Sequence, residues 1–386
     1  MKSFLSKKYL KIVLSLVLFV TLSFFILLKE QGWFETSEQA KIIELKQMSP
    51  KEMLSQMSLE EKVGQMMMVG FWGDKPDYYI NKMIEERNVG GVILLKYNIK
   101  TKEQLKSLIN DLQLRSNDTN PGIPLFVAVD QEGGQVSRVK VEGVSEFTAQ
   151  AEIETKEEAF SVALDRGKEL RALGINTNFS PVLDYLTDIN SFLYSRTFQK
   201  SLNETSKWGQ AMIEGYQKNI IAVPKHFLGH PEGIIDPHAS EVYSNFTSEQ
   251  VKERIELFKG LNANAPPAMI MTSHVTYDQL PSKVPCSLSK ACIKGWLQQD
   301  AGLSSSVIIT DDMEMGAIQG HYTNAEAAVM AIQAGNDILL YSSSPKKQAE
   351  AYNAIIKAVE EGELEIQKID ESVLKILELK KKYLFN

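Results

Sequence analysis

The chain has 386 residues, of which 44% are hydrophobic and 24% charged, with a formal net charge of −7 and a pI near 5.5. This composition is that of a globular protein and excludes a disordered or low-complexity chain. Because the charge is negative and no long Lys/Arg run occurs outside the extreme N-terminus, we expect no nucleic-acid partner.

The first thirty residues differ in character from the rest of the chain. Four lysines precede the uncharged, mostly apolar residues 12–28, and a single lysine follows them. That length suffices for a bilayer-spanning helix, and the excess of lysines on one side predicts a cytoplasmic N-terminus. We predict a cytoplasmic stub and signal anchor at residues 1–30, a juxtamembrane spacer at 31–48 and an extracellular domain at 49–386. The alternative is a cleaved secretory signal and a secreted protein.

Cys286 and Cys292 are the two cysteines of the chain. Two cysteines exclude a disulfide scaffold and a Cys-rich zinc module. Export would permit a disulfide between them, but we expect two separately buried thiols.

Short apolar runs alternate with segments of helical spacing from Ser58 onward. Ser58 with Glu61 predicts a helix start with a capping box. Runs without polar alternation predict strands buried on both faces, as in a parallel sheet covered by helices. The eight runs are 66–71, 91–95, 125–129, 175–179, 220–223, 269–272, 307–310 and 338–341. The helical segments are 79–87, 102–114, 156–173, 206–218, 248–261, 289–299, 324–334, 346–360 and 363–384.

Eight β-then-α units in about 330 residues predict a single-domain (β/α)8 barrel of the TIM type. The alternative is a doubly wound open sheet. That fold would place a glycine-rich phosphate turn after the first strand, and residues 69–74 do not match its fingerprint.

Polar side chains follow five consecutive predicted strands, at the end where a barrel builds its ligand site. The third strand is followed by an acidic turn, the fourth by an aspartate and then an arginine, and the next three by lysine, histidine and aspartate. The residues are Asp130, Asp184, Arg196, Lys225, His226, His274 and Asp311. We therefore predict a ligand site there.

Two chemistries fit these residue types. A metallohydrolase is conceivable because His226, His230, Asp236 and His238 include types that bind zinc. Against it, the cationic Lys225 stands beside the first of them, and no compact ligand motif is present. We expect no metal and no other cofactor.

A carboxylate nucleophile with a separate acid/base group is the arrangement of retaining glycoside hydrolysis. Asp311, at the tip of an apolar strand, suits the nucleophile, although it could instead be a helix N-cap. Asp236 and His238 suit an acid/base pair, because the carboxylate can orient the imidazole. An imidazole with a pKa near ~6.5 can donate and recover a proton at neutral pH.

From about residue 58 to 340 the chain resembles glycoside hydrolase family 3, in particular its β-N-acetylglucosaminidase branch. Residues 59–65, 129–134 and 178–184 are similar to its opening helix, its sugar-binding turn and its fourth-strand motif. Residues 225–238 resemble its Lys-His-Phe-Pro-Gly-His-Gly-Asp loop with the Asp-Ser-His dyad. Residues 310–313, Thr-Asp-Asp-Met, resemble its Ser-Asp-Asp-Leu nucleophile motif.

The resemblance implies a retaining exo-β-N-acetylglucosaminidase that needs no cofactor. Because the predicted anchor orients the domain toward the cell wall, we expect peptidoglycan fragments as its substrate. The resemblance also implies Asp311 as nucleophile, His238 as general acid/base and Asp236 as its partner. Contacts to the hydroxyls of the terminal sugar are implied for Asp130, Arg196, Lys225 and His226.

The loop departs from the family pattern at Leu228, at Pro231 and Glu232, which replace Gly-Asp, and at Pro237, which stands between the dyad residues. These changes leave the catalytic groups in place but affect the expected rate and aglycone preference. A β-glucosidase or a phosphorylase on the same pocket, and a non-catalytic wall-sugar-binding barrel, are the alternatives.

Overall fold

The computed structural model describes residues 45–233, 240–263 and 266–385. The predicted anchor and most of the predicted spacer lie outside these residues, as do Asp236 and His238. The chain divides into two compact units, Met1–Gln47 and Met48–Asn386. Within the described ranges, no helix has both the length and the apolar character needed to cross a bilayer.

Eight short parallel strands form one sheet, with β5, β4, β3, β2, β1, β8, β7 and β6 in that order. Seven of the eight predicted apolar runs contain one strand each, and the strand at the run 307–310 extends two residues further, to Asp312. Almost all of their side chains are buried, because helices cover the outside of the sheet. Their bounds are Met67–Val69 for β1, Gly91–Leu94 for β2, Phe126–Val129 for β3, Thr177–Asn178 for β4, Ile221–Ala222 for β5, Met269–Thr272 for β6, Val307–Asp312 for β7 and Ile338–Tyr341 for β8.

Backbone hydrogen bonds from the residues after β5 close the sheet. The Met271 N–H donates to the Pro224 carbonyl at 3.0 Å, and the Phe227 N–H donates to the Met271 carbonyl at 2.9 Å. The Ser273 N–H then donates to the Phe227 carbonyl at 2.7 Å. These bonds join the two ends of the sheet, so the fold is the predicted (β/α)8 barrel and not an open doubly wound sheet.

One helix of the outer layer follows each strand. In chain order from β1 to β8 these helices are Tyr78–Glu85, Lys102–Asp118, Lys156–Ala172, Leu202–Tyr216, Ser248–Gly260, Ala291–Asp300, Asn324–Ala334 and Pro345–Glu360, the sixth of them π-helical. The described part of the chain also contains four α-helices that are additional to these eight, at Pro50–Gln56, Leu59–Gln65, Gly316–Gln319 and Ile366–Tyr383.

Side-chain caps fix where many of these helices begin. The Ser58 hydroxyl accepts the Glu61 N–H at 3.3 Å, and the Glu61 carboxylate accepts the Ser58 N–H at 2.8 Å, which confirms the predicted capping box. Ser201 and Thr247 begin outer helices with the same capping box, and the Thr155 hydroxyl caps another by accepting the Glu158 N–H. Such caps satisfy the first free N–H groups of a helix, so the loops before them end at a defined residue.

Cys286 and Cys292 form a disulfide, with their Cα atoms 5.3 Å apart. The expectation of two separate thiols is therefore wrong. Both side chains are buried, as expected, but the turn Cys286–Leu288 leads directly into Ala291–Asp300 and brings the two Cα atoms within bonding range.

Loss of this disulfide is expected to lower the free energy of unfolding by about 2 kcal/mol, because the unfolded chain regains the freedom of the short loop that the bond closes. Urea denaturation of the Cys286→Ala/Cys292→Ala double variant measures the change. The unreduced wild-type protein, unfolded and treated with a thiol reagent, should gain no mass. Full labelling of both cysteines would contradict the bond.

Candidate active site

A cavity of about 290 Å³ opens at the carboxyl ends of the strands. Its wall combines apolar side chains with a dense group of charged ones. Of the residues predicted for this site, Asp130, Arg196, Lys225, His226 and Asp311 line the cavity, whereas Asp184 and His274 do not. The residues that line it come from the ends of β3, β5 and β7 and from the loop after β4, as a barrel site requires.

Lys225 lies between two carboxylates at one side of the cavity. Its Nζ is 2.6 Å from Asp130 Oδ1 and 2.7 Å from Glu132 Oε1. Arg196 binds the same Glu132 through two groups, with Nε 2.8 Å from Oε2 and Nη2 2.7 Å from Oε1. We call Asp130, Glu132, Arg196 and Lys225 the ionic cluster. It presents fixed charges of both signs to the cavity, which suits hydrogen bonding to sugar hydroxyls.

Two members of the ionic cluster are almost fully shielded from solvent, since the side chains of Glu132 and Lys225 are each 3% exposed. Burial favours the neutral form of Glu132, but the charges of Lys225 and Arg196 outweigh it and hold the pKa of Glu132 at about 2. Burial likewise opposes the charge of Lys225, and Asp130 and Glu132 outweigh it to raise the pKa of Lys225. Glu132 and Lys225 are therefore both ionised at neutral pH.

Lys225 and His226 both line the cavity, although neighbouring residues of a strand point to opposite faces. Both side chains can enter the cavity only if β5 ends or bulges before Lys225. It ends at Ala222, and the peptide bond between Lys225 and His226 is cis. The end of the strand is thus what allows both side chains into one site.

Asp184 is a buried carboxylate that fixes two histidines. Its Oδ2 is 2.7 Å from His226 Nδ1 and its Oδ1 is 2.8 Å from His230 Nδ1. It also accepts the backbone N–H groups of His226 and His230, at 3.2 and 2.8 Å. Burial opposes its charge, but these contacts hold the pKa of Asp184 well below its usual value. Burial lowers the pKa of His226. His226 is therefore a neutral imidazole with its proton on Nδ1.

Asp184, His226 and His230 are also of types that bind metals, and their ligand atoms lie within 4.8 Å of one another. The nitrogen–oxygen distances of 2.7 and 2.8 Å are hydrogen-bond lengths. Two ligands of one tetrahedral zinc ion would be separated by about 3.3 Å. Hydrogen bonds account for the arrangement, and the absence of a metal requirement stays a prediction.

Asp311 lies in a bulge at the end of β7. Ile309 pairs with Ile338 of β8, whereas Asp312 pairs with Leu340, so three residue steps on β7 match two on β8. Such a bulge re-aims the side chain of the extra residue. It turns Asp311 into the cavity and leaves Asp312 beside it in a different environment.

Among the described residues, no hydrogen bond is made to Oδ2 of Asp311, so one oxygen of this carboxylate is available to a ligand. Its Oδ1 accepts the Asp312 N–H at 2.8 Å, whereas its Oδ2 lies 4.0 Å from His226 Nε2. The side chain is 17% exposed. Burial would raise its pKa, but the neighbouring His226 and His274 and the Asp312 N–H outweigh burial and lower the pKa of Asp311. The group is thus an ionised, accessible carboxylate at the base of the cavity.

Asp312 is held by protein groups instead. It accepts the Ser342 hydroxyl, the Ser342 N–H at 3.2 Å and the Glu314 N–H at 3.0 Å. Burial, with the charges of Glu314 and Asp311, raises the pKa of Asp312 to about 6. Of the two neighbouring aspartates, Asp311 has the free oxygen and the lowered pKa that a nucleophile needs.

His274, predicted for the ligand site, does not line the cavity and is buried beneath it. Its Nε2 donates to the Asp312 carbonyl at 3.1 Å, and its Nδ1 lies 2.7 Å from the Ser287 hydroxyl. Both ring nitrogens therefore have partners. His274 supports the backbone of the strand that carries Asp311.

Glu232 ties the segment after β5 to the loop after β4. Its carboxylate accepts the Thr187 N–H at 2.6 Å, the Thr187 hydroxyl at 3.0 Å and the Ser191 hydroxyl at 2.6 Å. The Phe192 N–H donates to the Gly233 carbonyl at 3.0 Å, and Phe192 lines the cavity. The replacement of the family's Asp by Glu232 thus supports one wall of the site.

Glu132 and Arg138 were not predicted to be site residues. Glu132 stands two residues after Asp130, a spacing that points two side chains of an extended segment the same way, and this signal could have found it. Arg138 lines the cavity from beyond a tight turn and carries no sequence signal of its own. Asp184 was predicted for the site from its place after the fourth strand, and the structure shows that it acts through the two histidines.

A closed parallel barrel with a charged cavity at the carboxyl ends of its strands belongs to the class of (β/α)8-barrel proteins with a ligand site at that face. The chain belongs to glycosyl hydrolase family 3, because the N-terminal domain of that family matches residues 58–379. This agrees with the resemblance seen in the motifs.

Several relatives are similar over most of the barrel. The chain is 29% identical to the β-hexosaminidase A of Pseudoalteromonas piscicida over 78% of its own length and 55% of that protein. It is 34% identical to a β-hexosaminidase of Psychromonas ingrahamii over 65% and 75% of the two chains. The structure of a glycoside hydrolase family 3 β-N-acetylglucosaminidase from Paenibacillus sp. str. FPU-7 matches with 33% identity and a TM-score of 0.81, over 84% of this chain and 62% of that one. The chain thus spans somewhat more than half the length of two of these relatives.

Proposed function

We propose that the protein is a retaining exo-β-N-acetylglucosaminidase that removes terminal β-linked N-acetylglucosamine, with peptidoglycan fragments as the substrate class. The observation that carries the proposal is Asp311, an ionised carboxylate with an available oxygen that lines the same small cavity as the ionic cluster. The names of the β-hexosaminidase relatives support the choice of sugar.

In the first step, a carboxylate oxygen of Asp311 attacks the anomeric carbon while the bond from that carbon to the leaving oxygen breaks. His238 protonates the leaving oxygen, and Asp236 stabilises the imidazolium before transfer. In the second step, His238 takes a proton from water, and the water oxygen displaces Asp311 from the anomeric carbon. Two displacements return the β configuration, and no redox partner is needed.

The ionic cluster would hold the terminal sugar during both steps. The groups that face the cavity, Asp130, Lys225 and Arg196, offer acceptors and donors for adjacent hydroxyls, and His226 offers its unprotonated Nε2. Because the cluster is already paired, it needs no rearrangement when the ligand enters, which favours preorganised binding. A cavity of about 290 Å³ suits a single sugar ring.

We further propose that residues 49–386 form the catalytic domain outside the cell membrane, held there by the segment at 1–30 with 31–48 as a spacer. The lysine distribution around the apolar segment supports this orientation. A catalytic domain facing the cell wall would meet peptidoglycan fragments directly, which supports a part in peptidoglycan turnover. Nucleic acid is not an expected partner.

The test uses a soluble form beginning at Ser37 and four assays, with aryl β-N-acetylglucosaminide and aryl β-glucoside, each with and without phosphate. Release from the N-acetyl substrate alone, independent of phosphate, is expected. Phosphate-dependent release would identify the protein as a phosphorylase and not a hydrolase. Preference for the aryl β-glucoside would identify it as a β-glucosidase. A folded protein that releases neither aglycone would support a sugar-binding barrel without turnover.

Exchange of His238 for alanine is expected to reduce kcat/KM for N,N'-diacetylchitobiose by about a thousandfold. An activated dinitrophenyl N-acetylglucosaminide should lose less than about tenfold in its glycosylation step, because its leaving group needs no proton. Pre-steady-state release of dinitrophenol measures that step. His321→Ala is the matched control, since His321 is 48% exposed and pairs with the surface Glu241. Equal losses on both substrates would contradict the acid role.

A further inference from the structure

Trp72 is a large aromatic side chain that faces solvent at the catalytic end of the barrel. It lies three residues after the end of β1 and is 60% exposed. Tryptophan side chains are highly buried on average, so a mostly exposed one at the mouth of a site is a candidate contact for a ligand.

One face of the Trp72 ring is covered by Tyr97, which lies in the loop after β2. The ring centroids are 4.2 Å apart and the planes differ by 13°. Because the stack occupies one face and the ring remains mostly exposed, the opposite face is open to solvent.

The backbone around Trp72 is held by hydrogen bonds from two side-chain amides. The side-chain amide of Asn98 donates to the Phe71 carbonyl at 2.9 Å and to the Gly73 carbonyl at 2.6 Å, on either side of Trp72. The Gln104 amide donates to the Asp74 carbonyl at 2.7 Å. An aromatic ring held in this way loses little conformational freedom when a ligand packs on it.

The position of Trp72 relative to the cavity follows from the order of the strands. Its neighbours in the sheet, β2 and β8, contribute Leu95 and Ser342 to the cavity wall just beyond their ends. The charges of Glu314 and Asp312, added to burial, raise the pKa of Tyr97 to about 12, so the stack lies close to the tip of β7.

The proposed exo mode of action limits where a second sugar ring can lie. The terminal sugar fills the cavity, so every further ring of the glycan lies on the leaving-group side of the scissile bond. Trp72 follows β1, between the two strands whose next residues, Leu95 and Ser342, form part of the cavity wall. A ring that leaves the cavity over this part of the rim therefore meets Trp72.

We propose that the open face of Trp72 is a second sugar subsite, which binds the pyranose ring on the leaving-group side of the scissile bond. This inference rests on the proposed function, because it needs a terminal sugar in the cavity. The C–H groups on one face of a β-linked pyranose pack against an aromatic ring, and a stacking contact of this size corresponds to about a tenfold change in affinity. The ligand class is a β-linked oligosaccharide of two or more amino sugars.

The experiment compares wild type, Trp72→Ala and Trp72→Phe on N,N',N''-triacetylchitotriose, with the inhibition constant of free N-acetylglucosamine as a second readout. We expect Trp72→Ala to raise KM for the trisaccharide about tenfold with kcat nearly unchanged, and Trp72→Phe to restore most of the loss. The inhibition constant of the monosaccharide, which fills only the cavity, should stay within about twofold. Leu114→Ala is the control, because Leu114 is an exposed apolar residue near the far end of Lys102–Asp118.

Two results would overturn the subsite: an unchanged KM for the trisaccharide in Trp72→Ala, or a monosaccharide inhibition constant that weakens as much as that KM. Failure of the proposed function has a different signature, because wild type itself would not cleave the trisaccharide. In that case calorimetry with both sugars decides. Tighter binding of the trisaccharide than of the monosaccharide, lost in Trp72→Ala, supports the subsite, and equal or absent binding of both rejects it.

Discussion

Replacement of Asp311 by alanine is expected to reduce kcat on aryl β-N-acetylglucosaminide by at least ~10⁴-fold, with little change in the dissociation constant of free N-acetylglucosamine. The reason is geometric. Asp311 has an oxygen available to reach the anomeric carbon, while the ionic cluster that would hold the sugar is paired within itself and keeps its ion pairs when Asp311 is changed. Steady-state kinetics and calorimetry on the same samples measure the two quantities.

A small anion should partly restore turnover in Asp311→Ala, because the shortened side chain leaves space at the anomeric carbon. With azide and an activated aryl substrate, the expected product is the α-glycosyl azide, formed by a single displacement that inverts configuration. Asp278→Ala is the control, since Asp278 lies on the surface in a pair with Lys283. Turnover of Asp311→Ala near the wild-type rate, or a β-configured azide product, would remove Asp311 from the nucleophile role.

Replacement of Glu132 by alanine is expected to lower the free energy of unfolding by about 3 to 5 kcal/mol. Glu132 is the shared partner of Lys225 and Arg196, and its removal leaves two buried cations with too little opposite charge. Urea denaturation at pH 7 measures the loss. The control is Asp370→Asn, which breaks the partly exposed pair with Lys62 and should cost no more than about 1 kcal/mol. Equal losses in the two variants would contradict the cluster's structural role.

The same carboxylate predicts a loss of stability in acid. The folded pKa of Glu132, about 2, lies below the value of 4.5 for an unperturbed glutamate. A carboxyl group whose pKa is lower in the folded than in the unfolded protein stabilises the fold at pH values above its unfolded pKa. This stabilisation is lost as the pH falls from about 4.5 toward 2. Each pKa difference of one unit corresponds to about 1.4 kcal/mol, so the full contribution is about 3 kcal/mol. The wild-type protein should therefore lose more stability over this range than Glu132→Gln.

The barrel could be predicted from the sequence because its strands are buried on both faces and therefore appear as uninterrupted apolar runs. The sequence also predicts that the charged residues at the strand ends lie in one site, because the carboxyl ends of parallel strands meet at one rim of a barrel. The cavity brings Asp130, Lys225 and Asp311 together as that rule requires. Their roles, and those of Asp236 and His238, remain proposals.

Other features depend on geometry that no local pattern records. The bulge that turns Asp311 into the cavity arises from the pairing of β7 with β8. The disulfide depends on the turn that brings Cys286 near Cys292, since buried thiols and a buried disulfide have the same apolar sequence surroundings. The role of Asp184 depends on its hydrogen bonds to His226 and His230, which lie more than forty residues further along the chain.

The contact of Glu232 with the loop after β4 has a consequence for protein engineering. Thr187 and Ser191 find their acceptor on a different loop, 41 to 45 residues away in sequence. A chimaera that imports only the segment around Glu232, with the shorter aspartate of the family, would leave these donors short of their acceptor at the edge of the cavity. The two loops therefore form one transplantable module, and substrate preference should be transferred between relatives by exchanging both.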